Sequence, residues 1–140
     1  MRIESLALVA SIIQTSDGDL IHALPAIESF VLADDPRVSK PPVFYAFMAL
    51  SYGPDEGGRR VIYEATIYDP AGEIITSQPL KPQLPLPVMQ TRGAYKQAIP
   101  MMAVKFRTAG THEIRITIRD LGTPDGGILA RRRMSFTVST

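Results

Sequence analysis

Ile114, Ile116 and Ile118 alternate with Glu113, Arg115, Thr117 and Arg119 in the most regular segment of the chain. A strict period of two places the isoleucines on one face of a strand and the polar set on the other. β-Branched Ile and Thr suit such a half-buried, pleated surface. The turn signal Ala109-Gly110 precedes the segment, and a stretch rich in Gly, Pro and Asp, Leu121–Gly127, follows it. The pattern therefore predicts a central strand joined by a hairpin to a last strand over Ile128–Val138, with Met134, Phe136 and Val138 inward. Symmetric pairing across that loop sets Thr117 opposite Arg131 and Arg115 opposite Arg133, with Arg119 one step along the same face.

The earlier apolar runs extend this pattern. Residues 3–14 read as a first strand, apolar on both faces. Leu6, Val9, Ala10 and Ile13 would also suit a helix, but the Ser16–Asp19 turn and the run Leu20–Leu24 favour a hairpin. Pro25 interrupts the second strand, which resumes through Ile27, Phe30 and Leu32. A loop follows from Asp34 to Pro42. Val43–Tyr52 is predicted as a third long strand, with Phe44, Ala46, Met48 and Leu50 on one side and Val43, Tyr45, Phe47 and Ala49 on the other. A strand apolar on both faces is covered on both, by a loop or by another subunit.

Gly53–Gly58 turns the chain, and Arg60–Asp69 pairs back with Val61, Tyr63, Ala65 and Ile67 inward. Asp69-Pro70-Ala71-Gly72 makes a tight turn into a short strand beginning at Glu73. Gln78–Pro100 holds Pro79, Pro82, Pro85, Pro87 and Pro100, so it reads as an extended surface crossover rather than a helix or a central strand. Met101–Phe106 is read as a strand with Met102, Val104 and Phe106 inward.

About seven to nine strands with closely spaced turns and no convincing helix predict an all-β fold, an antiparallel β-sandwich. At 140 residues the chain is expected to form a single domain spanning its whole length. A net charge of +1 gives no general attraction to nucleic acid or membrane. The absence of cysteine excludes disulfides, thiol nucleophiles and cysteine-ligated metals, and agrees with a reducing compartment. The apolar run Ser5–Ile13 reads as a strand rather than a signal peptide, because Glu4 interrupts its start and no small-x-small cleavage site follows. No stretch approaches the roughly 20 apolar residues of a membrane span. The expected location is the cytoplasm.

Asp69-Pro70-x-Gly72, then Ala109-Gly110-x-His112, the alternating strand, and Phe136-x-Val138 come in an order that resembles immunoglobulin-like sandwich modules. With the opening Ala7-Leu8-Val9 and the Asp17-Gly18 hairpin, the chain is similar to a family of short, stand-alone bacterial proteins of unknown function. The resemblance covers most of the chain outside the proline-rich stretch. It implies an immunoglobulin-like β-sandwich and carries no functional residues, since its motifs are turn and core positions. Where such modules place a tyrosine after the turn glycine, this chain has His112.

Candidate chemistry is sparse. His22 and His112 lie on different predicted strands with no metal-ligand spacing, so no metal and no cofactor are expected. His112 and Glu113 are neighbours and face opposite sides of a strand. There is no GxSxG elbow, and the paired carboxylates Asp34-Asp35, Asp55-Glu56 and Asp17/Asp19 sit in turns. No phosphate-cradling glycine loop is present. The chain is therefore read as a non-enzyme.

Two features remain. Arg115, Arg119, Arg131 and Arg133 share one predicted sheet face, where like charges need compensation from Glu113, from Glu64 on a neighbouring strand, or from a bound anion. They are read as a solvated face with local ion pairs, or as a site for an anionic partner, whether an acidic protein surface, a nucleic-acid backbone or a polyanionic glycan; no aromatics interleave them, so base stacking is not expected, and nucleic acid is the less expected partner. Tyr45 and Phe47 are read as core or as a subunit interface. The expected function is a non-enzymatic binding or structural accessory protein acting through a protein interface, with a protein partner or as a homo-oligomer. The alternative is a carbohydrate-binding module using Tyr45, Tyr52, Tyr68 and Tyr95 as platforms.

Overall fold

The computed structural model describes residues 1–14, 20–32, 41–79, 86–88, 90–91, 93–123 and 127–140. Among these, nine strands form two sheets, with one short 3-10 turn, Pro54–Glu56. The strands are β1 (Arg2–Gln14), β2 (Leu20–Ala26), β3 (Ser29–Val31), β4 (Phe44–Tyr52), β5 (Val61–Tyr68), β6 (Ile74–Pro79), β7 (Gly93–Met101), β8 (Gly110–Asp120) and β9 (Ile128–Ser139). The first sheet runs β2-β1-β4-β7 and the second β3-β9-β8-β5-β6, the second curling as a half-barrel. The turn at Asp17–Asp19, the loop from Asp34 to Lys40, the crossover residues 80–85 and Met89 lie outside the described residues, as does the His22 side chain.

The period-two signals translate directly into burial. Val61, Tyr63, Ala65 and Ile67 on β5 and Ile114, Ile116 and Ile118 on β8 all point inward and are at most 2% exposed. They meet Leu8, Phe44, Ala46, Met48, Leu50 and Ile99 of the first sheet in a single apolar cluster. Each fully buried isoleucine or leucine there contributes about 1.5–3 kcal/mol of transfer free energy. β8 is hydrogen-bonded to β5 on one side and β9 on the other, so it is the central strand its pattern predicts.

β1 changes the parity of its inner face near its start. The pairing with β4 skips a residue between Ile3 and Ser5, which makes Glu4 a bulge. A bulge reverses the inside–outside sense of a strand. Ile3, before it, and Leu6 and Leu8, after it, therefore share the inner face despite their different parity.

Three expectations are corrected. The pairing is antiparallel throughout except at β3, which lies parallel to β9. After Ala26 the chain leaves the first sheet and joins the second, and that change of sheet brings β3 in beside β9 running the same way. The last part of the proline-rich stretch is a strand: β7 pairs with β4 from Gly93 opposite Tyr52 to Met101 opposite Phe44. It lies at the edge of its sheet, where Pro100 need not donate a ladder bond. Finally, the predicted strand Met101–Phe106 ends at Met101; Met102 is exposed, while Val104 and Phe106 reach the core from irregular chain that turns at Ala103, φ 58°.

His112 enters the core as an aromatic residue. It is 1% exposed, edge-on to Phe106 and stacked near Phe136 at centroid separations of 5.3 and 5.6 Å. Its Nδ1 donates to the Gly110 carbonyl at 3.1 Å, and its Nε2 is buried without a hydrogen-bond partner among the described residues.

Candidate binding face

β8, β9 and β5 build the face that carries the arginines. Because Ile114, Ile116 and Ile118 are buried, the intervening Glu113, Arg115, Thr117 and Arg119 stand on the outer surface. The ladder with β9 sets Arg115 opposite Arg133 and Thr117 opposite Arg131, in the register read from the hairpin symmetry. On the other side, β5 sets Thr66 opposite Arg115 and Glu64 opposite Thr117. All four arginines therefore share one face. Directly opposed like charges on a ladder, such as Arg115 and Arg133, destabilise the pairing unless something compensates.

The two expected carboxylates compensate half of the set. Arg115 Nε donates to Glu113, its neighbour two residues back on the same strand face. That hydrogen bond raises the Arg115 pKa further above its usual value. The Arg115 guanidinium also lies over the Tyr68 ring, 4.2 Å from its centroid. Arg119 Nε donates to Glu64 on β5 at 3.0 Å.

Arg131 and Arg133 differ. Both are exposed, and neither has an ion pair or hydrogen bond among the described residues. With Tyr68, Arg115, Thr117 and Arg119 they line an open groove of about 600 Å³.

Arg132, between them, was missed by the sequence reading and does something else. Its place opposite Ile116 turns it toward the inner side of the hairpin. Its Nη1 donates to the Ile3 and Glu4 carbonyls of β1 at 3.0 and 2.9 Å. Tyr68, one of the tyrosines the sequence offers as a carbohydrate platform, holds the Arg115 guanidinium over its ring, and its period-two placement beside inward Ile67 is the signal that sets it on this face.

The remaining candidates do not converge. Tyr45 and Phe47 are half-buried on the outer side of the first sheet, opposite Val9 and Ala7 of β1 and Pro100 and Ala98 of β7. The four tyrosine platforms are dispersed. Tyr52 is fully buried and donates to the Pro87 carbonyl at 2.8 Å, and burial followed by the nearby Tyr95 raises its pKa. Tyr95 pairs with core-facing Leu50. Tyr45 and Tyr68 occupy the outer faces of different sheets. Among the described residues, no three His, Asp or Glu side chains are grouped to hold a metal ion. No helix among them is long and apolar enough to cross a membrane.

No protein-family model matches the sequence, and no curated protein matches it. Among solved structures, the chain is similar to the Pseudomonas fluorescens alkylpurine DNA glycosylase AlkC bound to DNA containing an abasic site analog, with 10% sequence identity and a TM-score of 0.46. The match covers 81% of this chain and 28% of that one, so the chain spans less than a third of that enzyme's length.

Proposed function

We propose that this protein is a non-enzymatic, cytoplasmic binding module on an immunoglobulin-like β-sandwich, acting as an accessory protein through the arginine face of its second sheet. The observation that carries this reading is the contrast within the cluster. Glu113 and Glu64 neutralise Arg115 and Arg119, while Arg131 and Arg133 stand exposed with no carboxylate partner among the described residues. Two uncompensated guanidinium groups beside a groove are complementary to an anionic protein surface. The absence of cysteine supports the cytoplasmic assignment.

Binding to immobilised poly-L-glutamate tests the reading. The wild-type protein is expected to bind at low ionic strength and to be released as salt screens the contact. Arg131→Glu combined with Arg133→Glu is expected to abolish binding without loss of fold, since both side chains are exposed. A variant that binds as the wild type does, or a wild type that fails to bind, would overturn it.

A further inference from the structure

We infer that the partner of the arginine face is an extended acidic polypeptide segment with carboxylates at alternate positions, lying along β9. This rests on the binding face proposed above and names its ligand. Arg131 and Arg133 are alternate residues of one strand on the same outer face. Two residues of strand advance about 6.7 Å, and a second extended chain repeats its side chains at the same interval. A segment reading acidic-x-acidic therefore offers one carboxylate to each free guanidinium, each able to form a charge-assisted, forked pair.

The rest of the face narrows the chemistry. Arg115 and Arg119 are already held by carboxylates, so the unpaired charge is confined to the β9 side and does not form a broad basic field. Glu64 lines the same groove from β5, where it is held by Arg119. Tyr68, the aromatic ring lining this groove, is covered by the Arg115 guanidinium, which removes it as a stacking platform for a nucleobase. A peptide satisfies these conditions better than a nucleic-acid strand, whose phosphates are continuous and whose single-stranded recognition relies on stacking.

The experiment compares three probes on the protein at low ionic strength: a peptide of alternating Glu and Ser, an isomer of the same composition repeating Glu-Glu-Ser-Ser, in which no two glutamates stand two residues apart, and an oligothymidylate of equal charge. The alternating peptide is expected to bind about ten-fold more tightly than either of the others. Arg131→Gln with Arg133→Gln is expected to bring its affinity down to the level of the Glu-Glu-Ser-Ser isomer. Equal affinity for the two peptides would overturn the inference while leaving an anion-binding face in place. Tighter binding of the oligothymidylate would overturn it in favour of a nucleic-acid ligand. Failure of all three probes to bind would remove the binding face itself.

Discussion

Arg132 of β9 donates from Nη1 to the carbonyl of Glu4, the bulged residue of β1, at 2.9 Å. The same nitrogen reaches the Ile3 carbonyl at 3.0 Å. β2 pairs with β1 only from Val9 onward, so among the described residues the earlier part of β1 has a strand partner on one edge alone. Its other edge approaches β9 from the opposite sheet. Arg132 thus supplies donors to carbonyls that a neighbouring strand would otherwise satisfy, and joins the two sheets at that seam. Arg132→Ala is expected to destabilise the protein by about 1–2 kcal/mol in chemical denaturation. Arg131→Ala, at the outward position beside it, should change stability little. Equal losses from the two substitutions would contradict the division of labour within the arginine run.

Gly110 opens β8 at φ +127°, and a Cβ built on it would stand 2.9 Å from Pro70 Cγ in the β5–β6 turn. A side chain here meets both backbone strain and a proline ring that cannot swing away. Gly110→Ala is expected to cost about 2 kcal/mol or more. Pro70→Gly in the Gly110→Ala background should recover part of this loss, because it relieves the contact and leaves the dihedral cost. A calorimetric comparison of the single and double variants measures the two contributions separately.

Much of this architecture was legible because burial on one face enforces a period of two. The isoleucines of β8 and the Val61-to-Ile67 set of β5 identified their strands and inner faces, and the hairpin loop before β9 fixed which arginines would meet. β7 was hidden because Pro100 and the prolines upstream argue against a strand, and sequence cannot say that the strand will lie at a sheet edge. The β1 bulge was equally hidden: the conflict in parity between Ile3 and Leu6 was visible, but its resolution needs the partner strand. Arg132 could have been anticipated. The register that sets Arg131 and Arg133 outward sets Arg132 on the opposite side of β9, toward β1, although its side chain remains exposed.

Ala103 is the one non-glycine residue with positive φ among those described, at 58°, where the chain leaves β7 for β8. The left-handed region costs an alanine roughly 1 kcal/mol, while glycine adopts it freely at the expense of a more flexible unfolded chain. Ala103→Gly is therefore expected to be neutral or to stabilise by up to about 1 kcal/mol, the reverse of the usual effect of introducing glycine. Ala103→Val should destabilise. A loss of stability in the glycine variant would mean that the added flexibility of the unfolded chain outweighs the strain relieved at position 103.

The arginine face makes opposite demands on stability and on binding. Arg133 stands opposite Arg115, and Arg131 lies one position along the same face, so each adds positive potential to a ladder that already holds two neutralised arginines. Replacing them with glutamate turns a like-charge pair into an opposite-charge pair across β8 and β9. Arg131→Glu with Arg133→Glu is accordingly expected to raise the thermal midpoint at low ionic strength, in the same variant that loses poly-L-glutamate binding. The gain should shrink as salt is added, because the charges are at the surface and are screened. If the variant is instead less stable at low salt, Arg131 and Arg133 contribute to the fold, and the uncompensated charge is not held in place for a ligand. Thermal scans across a salt series, run beside the binding measurement on the same protein, separate these outcomes: a residue pair kept at a cost to the ladder it sits on is explained by what it binds, whereas a pair that stabilises the ladder needs no partner.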